Sequence, residues 1–168
     1  MSQLIPLTQG KFAIVDDEDV ARISNIKWHA HRERRGTFRA VNRVNFGSDQ
    51  RRLVGIERII LQVPTRILID HINHNPLDNR KDNLRWATYQ QNSFNTRKGY
   101  VSTTSKFKGV NFAPHAKKWR AYIIAGRKRK HLGYFTNEQA AANAYDEAAK
   151  VNFGEFAFLN LAGKEEKL

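Results

Sequence analysis

Apolar and polar residues alternate with a period of two in several short stretches of the chain, "KFAIV" at 11–15, "KWHAHR" at 27–32 and "TFRAVNRV" at 37–44. That period is the mark of a half-buried strand. The turn-rich "RRG" between the last two predicts a hairpin. Asp16, Asp17, Glu18 and Asp19 precede "VARISNI" and suit the positive end of a short helix starting there. Further on, "RILIDHI" reads as a strand ending in polar residues and "NHNPLDNRKD" as a loop, because Asn and Asp bond their own backbone and Pro76 halts a ladder. "NLRWAT" is then a second strand, with Leu84 and Trp86 on one face and Arg85 on the other. Thr88 and Gln91 fit a capping box, which predicts a helix from Tyr89 carrying Asn92 and Asn95 on one side.

The second half repeats the two-residue period in "FKGVNFA", "KWRAYIIA" and "KRKHLGYF", broken at "PHAK" and "GR". A helix follows in "NEQAAANAYDEAAKV", with Thr136 and Gln139 as a capping box and Ala140, Ala141, Ala144, Tyr145 and Ala148 on one face. If Trp119, Ala121 and Ile123 face that helix, alternation sends Arg120, Tyr122 and Ile124 to the open face, and Leu132 inward puts Arg129 and His131 outward. The fold class is α+β. Residues 1–66 form a small β-rich region, 67–95 a strand, loop, strand and helix, 96–106 a basic linker, 107–160 a three-stranded antiparallel sheet on one helix, and 161–168 a tail.

At 168 residues and 40% hydrophobic content the chain has material for real cores. The lack of cysteine excludes disulfides, a disulfide-linked partner, thiolate metal sites and cysteine nucleophiles. With no signal-like N-terminus, no run of 18 apolar residues and no basic amphipathic helix, a soluble intracellular, cytoplasmic protein is expected, with no membrane partner. The net charge of +13 changes the picture more, since it calls for a polyanion. No carboxylate occurs between Asp82 and Glu138, a stretch that holds Lys98, Lys106, Lys108, Lys118, Arg120, Arg129 and other cations. Such a stretch repels itself unless an anion meets it.

The strand, loop, strand and helix place Asp70, His71 and Asn92 where they can converge. A carboxylate and an amide oxygen are hard ligands, and two of them leave a magnesium-like ion several positions for water and a phosphate oxygen. A neighbouring histidine can take a proton from the attacking water, which completes the parts needed to hydrolyse a phosphodiester. His71 and His74 alone do not make a tetrahedral zinc set. Adjacent residues on a regular strand point to opposite faces, so Asp70 and His71 share one site only where the strand is twisted or irregular. His29 and His31 alternate on a predicted strand and read as surface or structural residues.

"DHINHNPLDNRKDNLRWATYQQN" resembles the HNH nuclease motif in the form found in phage and intron-encoded homing endonucleases, a ββα-metal site. The resemblance implies His71 as general base, Asn83 as the loop-pinning central asparagine, and Asp70 and Asn92 as metal ligands. The implied cofactor is a divalent metal, magnesium, with manganese as the alternative. The leading segment "IPLTQGKFAIVDDEDVARISNIKWHA" resembles what precedes the motif in such proteins, although Glu57 stands where relatives often have histidine. Residues 107–160, through "KGV", "HLGYFTNEQAAANAYDEAA" and "FLN", resemble the AP2 DNA-binding domain, which lays its sheet in the major groove. By position that implies DNA contacts at Lys108, Asn111, Lys118, Tyr122, Ile124, Arg129 and His131, with Tyr145 reaching a phosphate; Arg120 joins them from the alternation. Asn111 and Ile124 depart from the arginines of plant members. Together the two resemblances imply a site-specific DNA endonuclease of the homing type acting on double-stranded DNA in a bacterial or phage-infected cell, as a monomer or a dimer. A DNA-binding regulator without catalysis and an RNA-binding protein are the alternatives.

Overall fold

Gln9 and Gly10 take left-handed backbone (φ 61° and 63°), which reverses the chain so that β1 (Ser2–Pro6) pairs antiparallel with β2 (Phe12–Asp16). The computed structural model describes residues 1–33, 36–45, 51–64, 66–98 and 104–162, without the side chains of Asn45 and Arg51. Arg34 and Arg35 of the expected turn, linker positions 99–103 and the tail from 163 lie outside the described residues. The chain divides into two units, Met1–Tyr89 and Gln90–Leu168.

In the first unit, α1 (Val20–Ile23) follows a 3-10 turn built from Asp17–Asp19. The predicted hairpin is β3 (His29–Arg32) on β4 (Phe38–Asn45), and β5 (Arg51–Gly55) adds a third antiparallel strand before α2 (Ile56–Leu61). The alternation reading had no β1, because that strand is mostly exposed and shows no apolar period; its partner strand holds it. The core gathers Ala13, Val15, Ile23, Trp28, Ala40, Ile56, Ile60 and Leu84, and the Trp28 indole N–H donates to the Ile23 carbonyl at 3.1 Å. Leu84 sits on β7 (Leu84–Ala87), which pairs antiparallel with β6 (Leu68–His71) as a two-stranded ribbon.

Helix α3 (Tyr89–Phe94) begins where the sequence predicts and crosses the division between the units. The second unit orders β8 (Val110–Ala113), β9 (Lys118–Ala125) and β10 (Lys128–Phe135) as an antiparallel sheet, with β9 central and α4 (Glu138–Phe153) packed on one face. Two details differ from expectation. The cap is Asn137, whose side chain accepts from the Ala140 N–H at 2.7 Å, not Thr136. The buried face of α4 is rotated by about one residue, to Ala141, Ala142, Tyr145 and Ala149. Asp146 belongs to that face because its carboxylate accepts the Asn160 and Leu161 N–H groups at 2.8 and 2.9 Å, which fastens the chain after α4.

Candidate functional site

The loop between β6 and β7 is held by its own asparagines and aspartate. Asn73 and Asn75 oxygens accept from the Asn75 and Leu77 N–H groups at 2.8 and 3.2 Å, as Asx turns do. Asn83 closes the loop: its Oδ1 accepts the Asn73 N–H at 2.9 Å and its Nδ2 donates to the Asp78 carbonyl at 2.7 Å. The Asp78 carboxylate, almost fully buried, takes Arg80 through Nε and Nη2 at 2.8 and 2.6 Å and Asn73 Nδ2 at 2.8 Å. The Arg80 guanidinium holds it below the usual carboxylate range. β2 fastens the loop from outside, with Ile14 N–H donating to Leu77 and Asn79 N–H to Ile14, both at 2.7 Å. The acids ahead of α1 serve this loop as well as the helix, since Asp16 accepts the Lys81 N–H at 2.8 Å and Glu18 pairs with the Lys81 ammonium.

Asp70 and His71 close β6 with different partners. Asp70 stands opposite Arg85 in the ribbon, and its buried Oδ2 accepts from Arg85 Nε and Nη2 at 3.0 and 2.7 Å. His71 stands opposite Leu84, and its Nε2 lies 3.2 Å from Asn79 Oδ1. Burial holds the ring below its ordinary value, against the Asn79 bond and the charge of nearby Glu57. Glu57 itself is buried and paired with Arg39. The ribbon thus brings Asp70, His71 and Asn83 to one end, with the carboxylate and the ring on opposite faces by alternation.

Asn92 lies on α3 in the second unit, its carbonyl accepting from the Thr96 hydroxyl at 3.1 Å. Among the described residues no three His, Cys, Asp or Glu side chains gather into a metal-holding group. A hard divalent ion that keeps most of its waters needs only one or two protein oxygens, and a carboxylate with an amide oxygen fits that demand by donor type. Arg85 already engages the carboxylate concerned, so a cation at Asp70 competes with a guanidinium.

On the open face of the second unit's sheet, the register aligns Asn111, Arg120 and Tyr134 in one row, Tyr122 and His131 in the next, and Ile124 and Arg129 in a third. Lys118 ends the face beside Ala113. Arg120 Nε donates to Asn111 Oδ1 at 3.3 Å, and the Arg129 guanidinium lies over the Tyr122 ring at 4.6 Å. Among the described residues no carboxylate pairs with Lys118, Arg120, Lys128, Arg129 or Lys130. Two residues of the expected interface are elsewhere. The Lys108 ammonium donates to the Phe94, Thr96 and Ser93 carbonyls at 2.7, 2.8 and 3.4 Å, and burial pushes it down to about 8. Tyr145 is 3% exposed beneath the sheet, where Gly109 (φ 71°) gives it room; a Cβ there would stand 2.1 Å from the ring.

Sequence reasoning missed Tyr134, Arg85 and Asn79. Tyr134 reaches the open face because a bulge at Leu132 shifts the alternation, so Gly133 rather than Leu132 stands opposite Ala121. The signal was Gly133 inside a strand pattern, where its φ of 136° now marks the irregularity. Arg85 and Asn79 carried no signal beyond their closeness to Asp70 and His71.

The ribbon, its asparagine-pinned loop and the half-buried histidine fall within one segment that a family model recognises. Residues 62–94 match the family model described as HNH endonuclease. Over 99 residues the chain is 38% identical to a protein named as an HNH endonuclease from Acanthamoeba polyphaga mimivirus, covering 59% of this chain and 50% of that one. Over 70 residues it is 39% identical to protein 3.8 of Escherichia phage T7, covering 42% of this chain and 57% of the other. Over 54 residues it is 41% identical to APETALA2-like protein 2 of Oryza sativa, covering 32% of this chain and 12% of the plant protein. The chain spans about half the length of the first two relatives, and no solved structure matches. The family match is confined to residues 62–94, and HNH nucleases generally use a divalent metal. Among the described residues no helix is long and apolar enough to cross a membrane.

Proposed function

We propose that this protein is a site-specific DNA endonuclease of the homing type, with an HNH site at residues 67–95 and an AP2-like sheet that selects the target. The observation that carries the reading is a half-buried imidazole next in the chain to a buried carboxylate, at the end of a ribbon within the segment that the HNH model matches. His71 accepts a proton from a water; the water oxygen bonds to phosphorus and one phosphorus–oxygen ester bond breaks. Asn83 holds the loop that supports the ring. Asp70 and Asn92 would hold a divalent ion, which would neutralise charge at the phosphate, magnesium being the ion these oxygens suit. Arg120, Tyr122, Arg129, His131, Asn111, Lys118 and Tyr134 form the reading face, supported by its unneutralised cations and by the likeness to the plant relative. Phosphate contacts place such a sheet, and base-edge contacts give it selectivity.

The test is cleavage of supercoiled plasmids carrying a library of candidate targets with magnesium or manganese, comparing wild type, His71→Ala and added chelator. Metal-dependent nicked or linear product that disappears in the variant is expected. A second reading, a DNA-binding protein without catalysis, is favoured by the Arg85 guanidinium on Asp70. A specific duplex shifted in a gel yet never cut with either metal would replace the nuclease with that reading.

A further inference from the structure

Two arginines on the open face of the second unit's sheet are gathered around one ring. Tyr122 stands in the middle row on β9, with Arg120 two residues before it on the same face. Arg129 stands diagonally across on β10, where the register pairs it with Ile124 and pairs His131 with Tyr122. The Arg129 guanidinium carbon lies 4.6 Å from the centre of the Tyr122 ring, and that of Arg120 lies 6.0 Å from it. Arg120 is also held from β8, since its Nε donates to Asn111 Oδ1 at 3.3 Å while Asn111 Nδ2 donates to the Phe112 carbonyl at 3.4 Å. Among the described residues neither arginine pairs with a carboxylate. An aromatic face and an amide oxygen thus hold both cations without cancelling their charge. A leucine would suit a half-buried place on this strand equally well but offers a guanidinium nothing.

A free arginine side chain gives up rotamer freedom on binding, and one already held has less to give up. With Nε engaged by Asn111, the two terminal nitrogens of Arg120 remain to donate. Two parallel donors match the O6 and N7 acceptors that guanine presents in the major groove. The distances to the shared ring put the two guanidinium carbons at most about 11 Å apart, which spans about three steps of a duplex rising about 3.4 Å per step. We propose that Tyr122 is a positioning residue, which presents Arg120 and Arg129 together to two guanines no more than about three steps apart and reads no base through its own hydroxyl. This rests on the sheet being the face that selects the target.

The test uses the full chain with chelator present, so that binding is read apart from cutting. A randomised duplex library is taken through rounds of selection, and affinity for the enriched duplex is compared with affinity for a duplex of A·T pairs alone. Two guanines within about three steps are expected in the enriched sequence. Exchanging either G·C pair for A·T should weaken binding by about 5–150-fold, and a guanine analogue lacking the N7 acceptor should weaken it as well. Tyr122→Leu should cut the preference for the enriched duplex by about 5–30-fold, with affinity for the A·T duplex changed less than about twofold because the charges stay. Tyr122→Phe, which keeps the ring, should retain the preference. An enriched sequence without such guanines would overturn the proposal, as would an undiminished preference in Tyr122→Leu or a lost one in Tyr122→Phe. If Tyr122→Leu does not fold, Arg120→Gln and Arg129→Gln decide: each should erase the preference at one guanine, and the proposal fails if both preferences survive. A library that enriches no sequence at all ends the site-specific reading itself, and the proposal with it.

Discussion

The two units solve one problem with opposite chemistry. A segment without ladder partners leaves both N–H and C=O groups to be satisfied. Around the β6–β7 loop the work falls to oxygens: Asp16, Asn73, Asn75 and Asn83 accept backbone N–H groups, and the buried Asp78 carboxylate ties Arg80 and Asn73 together. At the entry to the second unit it falls to ammonium groups. Lys98 donates to the Ser105, Phe107 and Val110 carbonyls at 2.8, 2.8 and 3.0 Å, while Lys108 gathers those of Ser93, Phe94 and Thr96. Phe94 also stacks on Phe153 with ring centroids 3.9 Å apart, so the end of α3 is built into the second unit. The lesson concerns charge: in this basic chain two cations within the carboxylate-free stretch are structural, and only geometry separates them from those on the sheet face.

The strongest way to break the comparison is Asn83→Leu. It removes an acceptor and a donor from one buried side chain and leaves the Asn73 N–H and the Asp78 carbonyl without it. One buried carbonyl and one partly buried N–H left unmet should destabilise the first unit by about 2–3 kcal/mol in urea unfolding. A change below about 1 kcal/mol would mean the loop is held from β2 and not from within.

Lys108→Met comes next. Its apolar stem is kept, but three carbonyls lose their donor, for an expected loss of about 1–2 kcal/mol from the second unit. Duplex affinity and its salt dependence should stay unchanged. If Lys108 contacts a phosphate instead, the slope of log affinity against log salt drops by about one unit, and the two lysine roles are the reverse of those described.

The smallest expected effects are two pH windows. Asp78 is held below the usual value of 3.8, so its contribution is complete above that value and is lost as pH falls through the lower folded one. Lys108 is pushed down from 10.5 to about 8, so between those values the unfolded chain binds the extra proton and stability rises with pH. Asp78→Asn should flatten the acid limb alone and Lys108→Met the alkaline limb alone, as read by thermal melts across both ranges. A variant that flattens the other limb would dissolve the comparison.

Much of this was legible because it is local. Two-residue alternation marks β3, β4, β8, β9 and most of β10, and the run of Asn, Asp and Pro after β6 announces a loop that bonds itself, because both signals involve residues only a few positions apart. The open face of the sheet follows from alternation as far as His131 and fails at the bulge, where one extra residue hands the face to Tyr134. The cap and face of α4 were each displaced by one position, since neighbouring polar and alanine residues compete nearly equally and packing breaks the tie.

By itself the sequence determined the strand and helix periods, the turn chemistry of the β6–β7 loop, the excess of positive charge and the motif that pairs Asp70 with His71. Only the tertiary structure decided which groups meet: Arg85 on Asp70, Asn79 on His71, Glu57 with Arg39, and Lys108 turned inward to backbone carbonyls. The reason is physical. A period or a turn is set by sterics and hydrogen bonds along a few residues, whereas a polar side chain's partner is the winner of a competition among all the groups that folding brings within reach.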